Sequence, residues 1–192
     1  MNLPNKLTML RILLIPVFIV FAAIRSIPFG YLIAAAVFSV ASFTDFLDGH
    51  IARKRGLVSD FGKFADPPAD KMLTTAAFIY LVVDGVCSPV VLFIILTREF
   101  AVSGVRMVAA SAPGGKVIAA NGWGKAKTVL QMVTIILYYI MGGIQHLLPI
   151  SIDAGTLPQT ITWALCWLVA ALTAISGILY IWGNREYINT AK

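Results

Sequence analysis

Apolar stretches recur along the whole chain, and they restrict its fold more than any other feature. Six of them alternate with polar segments that hold most of the charged residues. Inside a lipid bilayer every backbone N–H and C=O must be satisfied within the protein, so such a segment crosses the membrane as an α-helix. The sequence therefore predicts an all-α, polytopic membrane protein with six transmembrane helices and a short N-terminal interfacial helix.

The positions of the apolar stretches give the predicted spans. These are residues 12–24, 29–46, 72–83 with an extension into the preceding polar segment, 89–105, 128–148 and 161–182. Residues 1–11 are polar and basic, and they are expected to form the interfacial helix. No small-residue cleavage site follows the first apolar stretch, so it is expected to be a retained span and not a signal peptide. We expect residues 1–192 to form a single domain.

Composition argues against an ordinary soluble domain. Hydrophobic residues make up 59% of the chain and charged residues 12%, and the mean hydropathy is +0.86, whereas soluble domains are roughly 45–50% apolar and about 25% charged. The net charge of +6 is attributed to loops beside anionic lipid and not to nucleic-acid binding. Cys87 and Cys166 match no metal or disulfide spacing, so we predict buried, inert thiols.

The basic residues are distributed unequally between the two sides of the predicted bundle. With six spans, 14 of the 15 lysines and arginines fall on the side of the two termini, and only Arg25 falls opposite. Basic loops remain in the cytoplasm during membrane insertion. We therefore expect both termini, and the polar segment 45–70 with them, at the cytoplasmic face.

Four carboxylates stand at the ends of two apolar stretches in this segment. Five of the nine acidic residues lie between positions 45 and 70. Asp45 and Asp48 are three residues apart and share a helical face, and so do Asp66 and Asp70 at a spacing of four. Carboxylates this close cannot all stay ionised without cations. Oxygen ligands favour Mg²⁺ or Mn²⁺ over zinc, and a pair of such ions is typical of phosphoryl transfer.

Glycines and a basic run accompany the carboxylates. Gly49 and Gly62 lack side chains where a phosphate or substrate backbone would approach closely. Arg53 lies about two helical turns beyond Asp45, within reach of an anionic group held by the metals. The alternative is that Arg53 and the two basic residues after it anchor the helix end at lipid headgroups.

Eight residues of this segment occur at fixed spacing. The pattern is Asp45-x-x-Asp48-Gly49-x-x-Ala52-Arg53, eight residues, then Gly62-x-x-x-Asp66-x-x-x-Asp70. It resembles the signature of the CDP-alcohol phosphatidyltransferase family. The resemblance implies a six-helix, typically dimeric membrane enzyme that displaces CMP from a CDP-linked lipid by attack of an alcohol. It further implies that the four aspartates bind two divalent cations, that Asp70 is also the general base, and that the CDP group binds at Gly49, Ala52, Arg53, Gly62 and Thr8.

Further similarity lies outside this signature. It comprises Asn5-Lys6-Leu7-Thr8 with Arg11, Arg98-Glu99-Phe100 with Arg106, Lys116-Val117-Ile118-Ala119-Ala120, and Gly124-Lys125-Ala126-Lys127-Thr128 with Gln131. These stretches resemble bacterial members of the family that take CDP-diacylglycerol and glycerol 3-phosphate as substrates. We accordingly expect the bacterial cytoplasmic (inner) membrane as the location and a homodimer as the assembly.

Four basic residues are candidates for binding the phosphate of the acceptor. An arginine such as Arg98, at the end of an apolar span, is costly unless it faces a polar cavity or a partner. Arg106, Lys125 and Lys127 are predicted in the same layer, and such a cluster suits a phosphate monoester. The alternative is that Arg98 pairs with Glu99 or another acid and that the lysines only anchor the helices.

Other functions stay open at this point. The acceptor alcohol could instead be an inositol phosphate, serine or phosphatidylglycerol. A divalent-cation transporter is disfavoured because the four acids lie at helix ends and not at the membrane midplane, and a purely structural subunit would not explain their spacing. Pro68 replaces the aliphatic residue usual in the family. With a helix start near Asp66 it falls in the first turn, where proline is acceptable, but it restricts Pro67 and could shift Asp70.

Overall fold

The computed structural model describes residues 3–24, 26–55, 60–111, 122–147 and 156–185. They form the helices α1 Leu3–Ala23, α2 Gly30–Arg55, α3 Asp60–Val83, α4 Pro89–Ser111, α5 Gly122–Leu147 and α6 Thr156–Gly183. No strand occurs in this described part. The prediction of an all-α chain is confirmed, and each of the six apolar stretches coincides largely with one helix.

Within the described residues, two helices are long and apolar enough to cross a membrane by length and composition. They are Gly122–Gln145 in α5 and Leu157–Gly183 in α6. Shorter apolar segments lie in α1, α2 and α3, at Thr8–Ala23, Gly30–Thr44 and Lys71–Val83. Large apolar side chains are exposed on every helix, for example Leu13, Phe43, Val83, Phe93, Val129 and Ile178. So much exposed apolar surface indicates a membrane protein, and the crossing of all six helices stays a prediction.

The N-terminal helix differs from the sequence prediction. α1 runs without interruption from Leu3 to Ala23 over 21 residues, so residues 3–11 do not form a separate interfacial helix. Pro4 lies in the first turn, where its missing N–H has no helical partner, and nothing between it and Pro16 favours a break. The basic start of the chain therefore continues directly into the first apolar helix.

The third helix also begins earlier than predicted. α3 starts at Asp60 and not near Asp66, so Pro67 and Pro68 lie inside the helix and not in its first turn. An acidic residue stabilises a helix N-terminus through the helix dipole, which favours a start at Asp60. Proline inside a helix has no N–H to donate to the carbonyl four residues earlier. The two prolines therefore interrupt the helical hydrogen bonds just before Asp70.

The turn between α3 and α4 is specified by its sequence. Gly85 has a φ of 73°, and the Val86 N–H donates to the Leu81 carbonyl at 3.0 Å, as in a glycine-terminated helix end. The Ser88 hydroxyl accepts a backbone N–H of the next helix at 3.2 Å, and Pro89 occupies the first helical position. Ser88 is thus an N-cap followed by a favourable proline.

Helix packing forms one bundle. α1 packs on α2 and α3, α2 on α5, and α4 on α3 and α6, while α5 also packs on α6. The Phe18 ring lies 5.8 Å from the Phe38 ring and 5.4 Å from the Tyr139 ring, measured between centroids. A Cβ atom added at Gly143 would lie 2.5 Å from the Leu32 side chain. The glycine therefore allows α5 to approach α2 closely.

The two cysteines are buried and neither forms a disulfide. Cys87 lies in the turn after α3, where its thiol donates to the Ser88 carbonyl at 3.6 Å. Cys166 lies in α6 and has no solvent exposure. The prediction of buried free thiols is confirmed.

Candidate functional site

The four signature aspartates lie on two consecutive helices. Asp45 and Asp48 fall in the C-terminal part of α2, and Asp66 and Asp70 fall in the N-terminal part of α3. α2 and α3 contact each other, and the spacing within each pair places its two members on one face by register. The predicted metal ligands therefore lie on two helices that contact each other, α2 and α3.

The side chains of residues 45–55 and 60–70 lie outside the part that the structure describes. The roles of Gly49, Ala52, Arg53 and Gly62 therefore stay predictions, as do those of the four aspartates. Among the side chains that are described, no group of three or more His, Cys, Asp and Glu residues could hold a metal ion.

A hydrogen bond connects the start of α3 to α4. Lys71 directly follows Asp70, and its Nζ donates to the Ser103 hydroxyl. Lys71 was predicted only as one of the 14 basic residues on the side of the termini. The contact ties the helix that carries Asp66 and Asp70 to the helix that carries Arg98 and thus joins the two predicted halves of the site.

One carboxylate bridges two of the predicted acceptor-binding cations. Glu99 Oε1 accepts from Arg98 NH1 at 3.1 Å and from Lys127 Nζ. The Arg98 and Lys127 side chains are 10% and 2% exposed, so neither is a freely solvated anchor. The Arg98–Glu99 pair expected under the alternative interpretation is present. Lys127 is the second partner of Glu99. The three side chains together carry one net positive charge.

Helix α6 supplies further partners for the cations of α4. Arg98 NH2 donates to the Ser176 hydroxyl at 3.2 Å. Arg106 Nε donates to the Tyr180 hydroxyl at 3.2 Å, and its guanidinium lies 5.5 Å from the Tyr180 ring centroid, a cation–π distance. Both arginines are therefore held by α6, a helix on which the sequence predicts no site residue.

The four acceptor candidates are not gathered at one point. Arg98 and Lys127 are joined through Glu99. Arg106 lies about two turns further along α4 and contacts α6. Lys125 is exposed, and residues two apart on a helix do not share a face, so it lies on a different side of α5 from Lys127. The structure thus joins two of the four, Arg98 and Lys127, through the shared Glu99.

A buried polar stripe lies on α1. Thr8 and Arg11 have no solvent exposure, and Ile15 and Phe18 continue the same face at helical spacing. α1 packs on α2 and α3, the helices that carry the aspartates. Thr8, predicted to bind the CDP group, therefore lies on the packed face of α1. Arg11 was not predicted as a site residue, although its spacing from Thr8 and Ile15 is a signal that could have found it.

Comparison with known proteins decides the family. A protein-family model described as CDP-alcohol phosphatidyltransferase matches residues 1–175. The chain belongs to the CDP-alcohol phosphatidyltransferase family. The family resemblance predicted from the aspartate spacing is confirmed.

Relatives within this family align with nearly the whole chain. A Bacillus subtilis protein named CDP-diacylglycerol–glycerol-3-phosphate 3-phosphatidyltransferase is 37% identical, covering 100% of this chain and 99% of the relative. A Rickettsia bellii protein of the same name is 35% identical over 97% of each chain. A Mycobacterium tuberculosis protein named probable phosphatidylglycerophosphate synthase is 35% identical, covering 92% of this chain and 85% of the relative.

The match to the CDP-alcohol phosphatidyltransferase family ends within α6. The family model extends to residue 175, one residue before Ser176. Ser176 and Tyr180 therefore lie beyond the matched region, whereas their partners Arg98 and Arg106 lie within it.

Proposed function

We propose that this CDP-alcohol phosphatidyltransferase transfers the phosphatidyl group of CDP-diacylglycerol to glycerol 3-phosphate, giving phosphatidylglycerophosphate and CMP. The observation that carries the proposal is the full-length similarity to relatives named for this reaction. The aspartate signature on α2 and α3 supports the phosphatidyl transfer. The buried basic residues on α4 and α5 support an acceptor that bears a phosphate.

The donor set of the signature fits divalent cations. Asp45, Asp48, Asp66 and Asp70 offer only carboxylate oxygens, which suit Mg²⁺ or Mn²⁺ better than zinc. We assign these four residues to hold two such ions. When bound, the ions supply neutralisation of the diphosphate charge and alignment for an in-line displacement.

The CDP group is assigned to the residues around the aspartates. Gly49, Ala52 and Gly62 leave room for the nucleotide and its phosphates to approach the helix backbones. Arg53 provides a cation for a phosphate oxygen through charge-assisted hydrogen bonds. Thr8 contributes a hydroxyl from α1. The acyl chains of the substrate remain in the bilayer.

Asp70 is assigned the proton transfer. Its carboxylate accepts the proton of the primary hydroxyl of glycerol 3-phosphate as that oxygen attacks the phosphorus bearing the diacylglycerol group. A new oxygen–phosphorus bond forms, the bond to the CMP phosphate oxygen breaks, and CMP leaves with the electron pair. The position of Asp70 beside Lys71, which bonds Ser103 of α4, supports an acceptor bound between α3 and α4.

The acceptor phosphate is assigned to Arg98 and Lys127, with Arg106 and Lys125 as additional cations. Arg98 and Lys127 share Glu99, so the pair is pre-assembled, and the three side chains together carry one net positive charge. A phosphate monoester has the opposite charge and accepts hydrogen bonds from both arginine and lysine. Glu99 therefore serves as the internal counter-ion of the acceptor site.

The membrane arrangement completes the proposal. All six helices span the bacterial cytoplasmic membrane, with both termini and the aspartates at the cytoplasmic face, because 14 of 15 basic residues then lie on that side. Residues 1–192 form a single domain, and the enzyme is a homodimer. This orientation lets glycerol 3-phosphate and CMP exchange with the cytoplasm while the lipid stays in the bilayer.

An acceptor panel tests the proposal. The full chain, purified in lipid nanodiscs, is given CDP-diacylglycerol and Mg²⁺ with glycerol 3-phosphate, serine, an inositol phosphate or phosphatidylglycerol, and CMP release is measured. We expect turnover with glycerol 3-phosphate alone. Equal turnover of serine or phosphatidylglycerol would contradict the assigned acceptor, and absence of CMP release with every acceptor would contradict the phosphatidyl transfer.

A further inference from the structure

Arg98 is held against α6 at two points. Its NH2 group donates to the Ser176 hydroxyl at 3.2 Å, and Ser176 has no solvent exposure. A Cβ atom added at the neighbouring Gly177 would lie 2.9 Å from Arg98 Cγ, closer than real Cβ atoms come to a neighbour. The stem of Arg98 therefore lies directly on the backbone of α6, and the absence of a side chain at position 177 makes room for it.

A second arginine of α4, Arg106, contacts α6 one helical turn beyond Ser176. The Tyr180 hydroxyl accepts from Arg106 Nε at 3.2 Å, and the guanidinium lies 5.5 Å from the ring centroid. Ser176 and Tyr180 are four residues apart and so share one helical face, and α6 packs on α4. One face of α6 therefore fixes two arginines of α4.

We propose that Ser176, Gly177 and Tyr180 are positioning residues for the acceptor phosphate and act through Arg98 and Arg106. The inference rests on the proposed function, which assigns those two arginines to the acceptor. An arginine side chain loses much rotamer freedom when it binds a phosphate. Holding its stem and one nitrogen beforehand reduces that loss and keeps the guanidinium where the phosphate arrives.

Gly177 is the most demanding of the three positions. Arg98 Cγ is close to the main chain, so it cannot move aside without rotating the whole side chain about its first bond. An alanine at position 177 would therefore displace the guanidinium from both Ser176 and Glu99. Gly183 on the same helix has nothing within 4 Å of an added Cβ and provides a matched control.

The test measures steady-state CMP release by the full chain in nanodiscs while each substrate is varied separately. We expect Gly177→Ala and Ser176→Ala to raise the KM for glycerol 3-phosphate by about 3- to 10-fold, the size expected for one misplaced charge-assisted hydrogen bond. The KM for CDP-diacylglycerol and kcat should stay within about twofold. Gly183→Ala should leave all three values unchanged.

The same substitution in an Arg98→Ala background shows whether Gly177 affects the KM for glycerol 3-phosphate through Arg98. In Arg98→Ala the Cγ atom is gone, and the remaining Cβ lies 3.6 Å from an added Cβ at Gly177, an ordinary contact. Gly177→Ala should therefore raise the KM for glycerol 3-phosphate no further in that background. An equal rise in both backgrounds would overturn the inference, since Gly177 would then act independently of Arg98.

The outcomes also separate this inference from the proposed function. If Arg98→Ala leaves the KM for glycerol 3-phosphate unchanged, the acceptor role of Arg98 is wrong and the inference fails with it. If Arg98→Ala raises that KM while Ser176→Ala and Gly177→Ala do not, only the positioning role is wrong.

Tyr180→Phe provides a test that does not depend on the folding of Gly177→Ala. It removes a single oxygen atom and keeps the ring beside Arg106. We expect a rise of about 2- to 5-fold in the KM for glycerol 3-phosphate, and no further rise in an Arg106→Ala background. An unchanged KM in Tyr180→Phe would overturn the role of Tyr180.

Discussion

Glu99→Gln separates two effects of the bridging carboxylate. In the native chain Glu99 Oε1 accepts from both Arg98 and Lys127, and the three side chains are 20%, 10% and 2% exposed, respectively. Glutamine keeps the shape and one acceptor oxygen but removes the charge. The negative charge that Arg98 and Lys127 share is then lost, which destabilises the fold and makes the site more attractive to an anion.

The stability change follows from burial. Removing one member of a fully buried ion pair costs about 3–5 kcal/mol. Because Glu99 is 20% exposed and glutamine retains a neutral hydrogen bond, we expect a loss of about 2–3 kcal/mol. For a chain of 192 residues this corresponds to a Tm lowered by roughly 4–12 °C, taking soluble domains of similar size as the guide.

The binding change has the opposite sign. The net charge of the three side chains rises from one to two positive charges when Glu99 is neutralised. At about 5 Å and an effective dielectric constant of about 20, one added unit charge attracts an anion by about 3 kcal/mol, and screening by solvent reduces this to about half. We therefore expect the Kd for glycerol 3-phosphate to fall about tenfold.

Thermal unfolding in nanodiscs, with and without glycerol 3-phosphate, measures both quantities, because a ligand raises Tm according to its affinity for the folded state. Asp84→Asn is the control, since Asp84 follows the far end of α3 and accepts a hydrogen bond from Tyr138. The control should lower Tm without changing the shift caused by glycerol 3-phosphate. An unchanged Tm in Glu99→Gln would refute the bridge, and an unchanged or weaker ligand-induced shift would refute phosphate binding at Arg98 and Lys127.

Three further predictions address the catalytic and packing assignments. Asp70→Asn should lower kcat at least about 100-fold at saturating Mg²⁺, and near-normal CMP release would contradict the base role. Chelation of divalent ions by EDTA should abolish CMP release and Mg²⁺ or Mn²⁺ should restore it, whereas activity that persists in EDTA would exclude the assigned metal requirement. Gly143→Ala should lower the free energy of unfolding by about 1–3 kcal/mol, because the added Cβ would lie 2.5 Å from Leu32. The matched Gly104→Ala, with nothing within 4 Å, should not, and an equal loss in both would contradict close packing of α2 on α5.

Helix positions could be predicted from the sequence more reliably than helix starts. The apolar stretches located all six helices of the described chain, because burial in lipid or in the bundle is read directly from hydrophobicity. Four helices begin five or more residues before the predicted start: α1 at Leu3, α3 at Asp60, α5 at Gly122 and α6 at Thr156. A start depends on which residues can satisfy or replace the first backbone N–H groups. Pro67 and Pro68 suggested that α3 begins near Asp66, whereas the helix begins at Asp60, a favourable N-terminal residue.

In the candidate site, features formed by residues close together in the sequence could be predicted, whereas contacts between distant helices could not. The four aspartates are close together in the sequence, so their spacing could indicate both the family and the two helices that carry them. The Glu99–Lys127 bridge joins α4 and α5, and the Arg106–Tyr180 contact joins residues 74 positions apart. Such pairs depend on which helices pack together, and hydrophobic periodicity does not contain that information. The sequence therefore indicated the cations and the neighbouring Glu99, but not the bridge from Glu99 to Lys127 or the contacts with Ser176 and Tyr180.

The residues assigned to the two substrates lie on different helices. The signature lies on α2 and α3, while the residues assigned to the acceptor phosphate lie on α4 and α5, and the two arginines on α4 are held by α6. The described side chains connect these parts through Lys71 and Ser103. Under the proposed function, substitutions in α4 to α6 change the KM for the acceptor and leave the KM for CDP-diacylglycerol intact, because binding of each substrate depends on different helices. Loss of the Lys71–Ser103 bond is the exception: it shifts the bound acceptor relative to Asp70, so it lowers kcat and not only affinity.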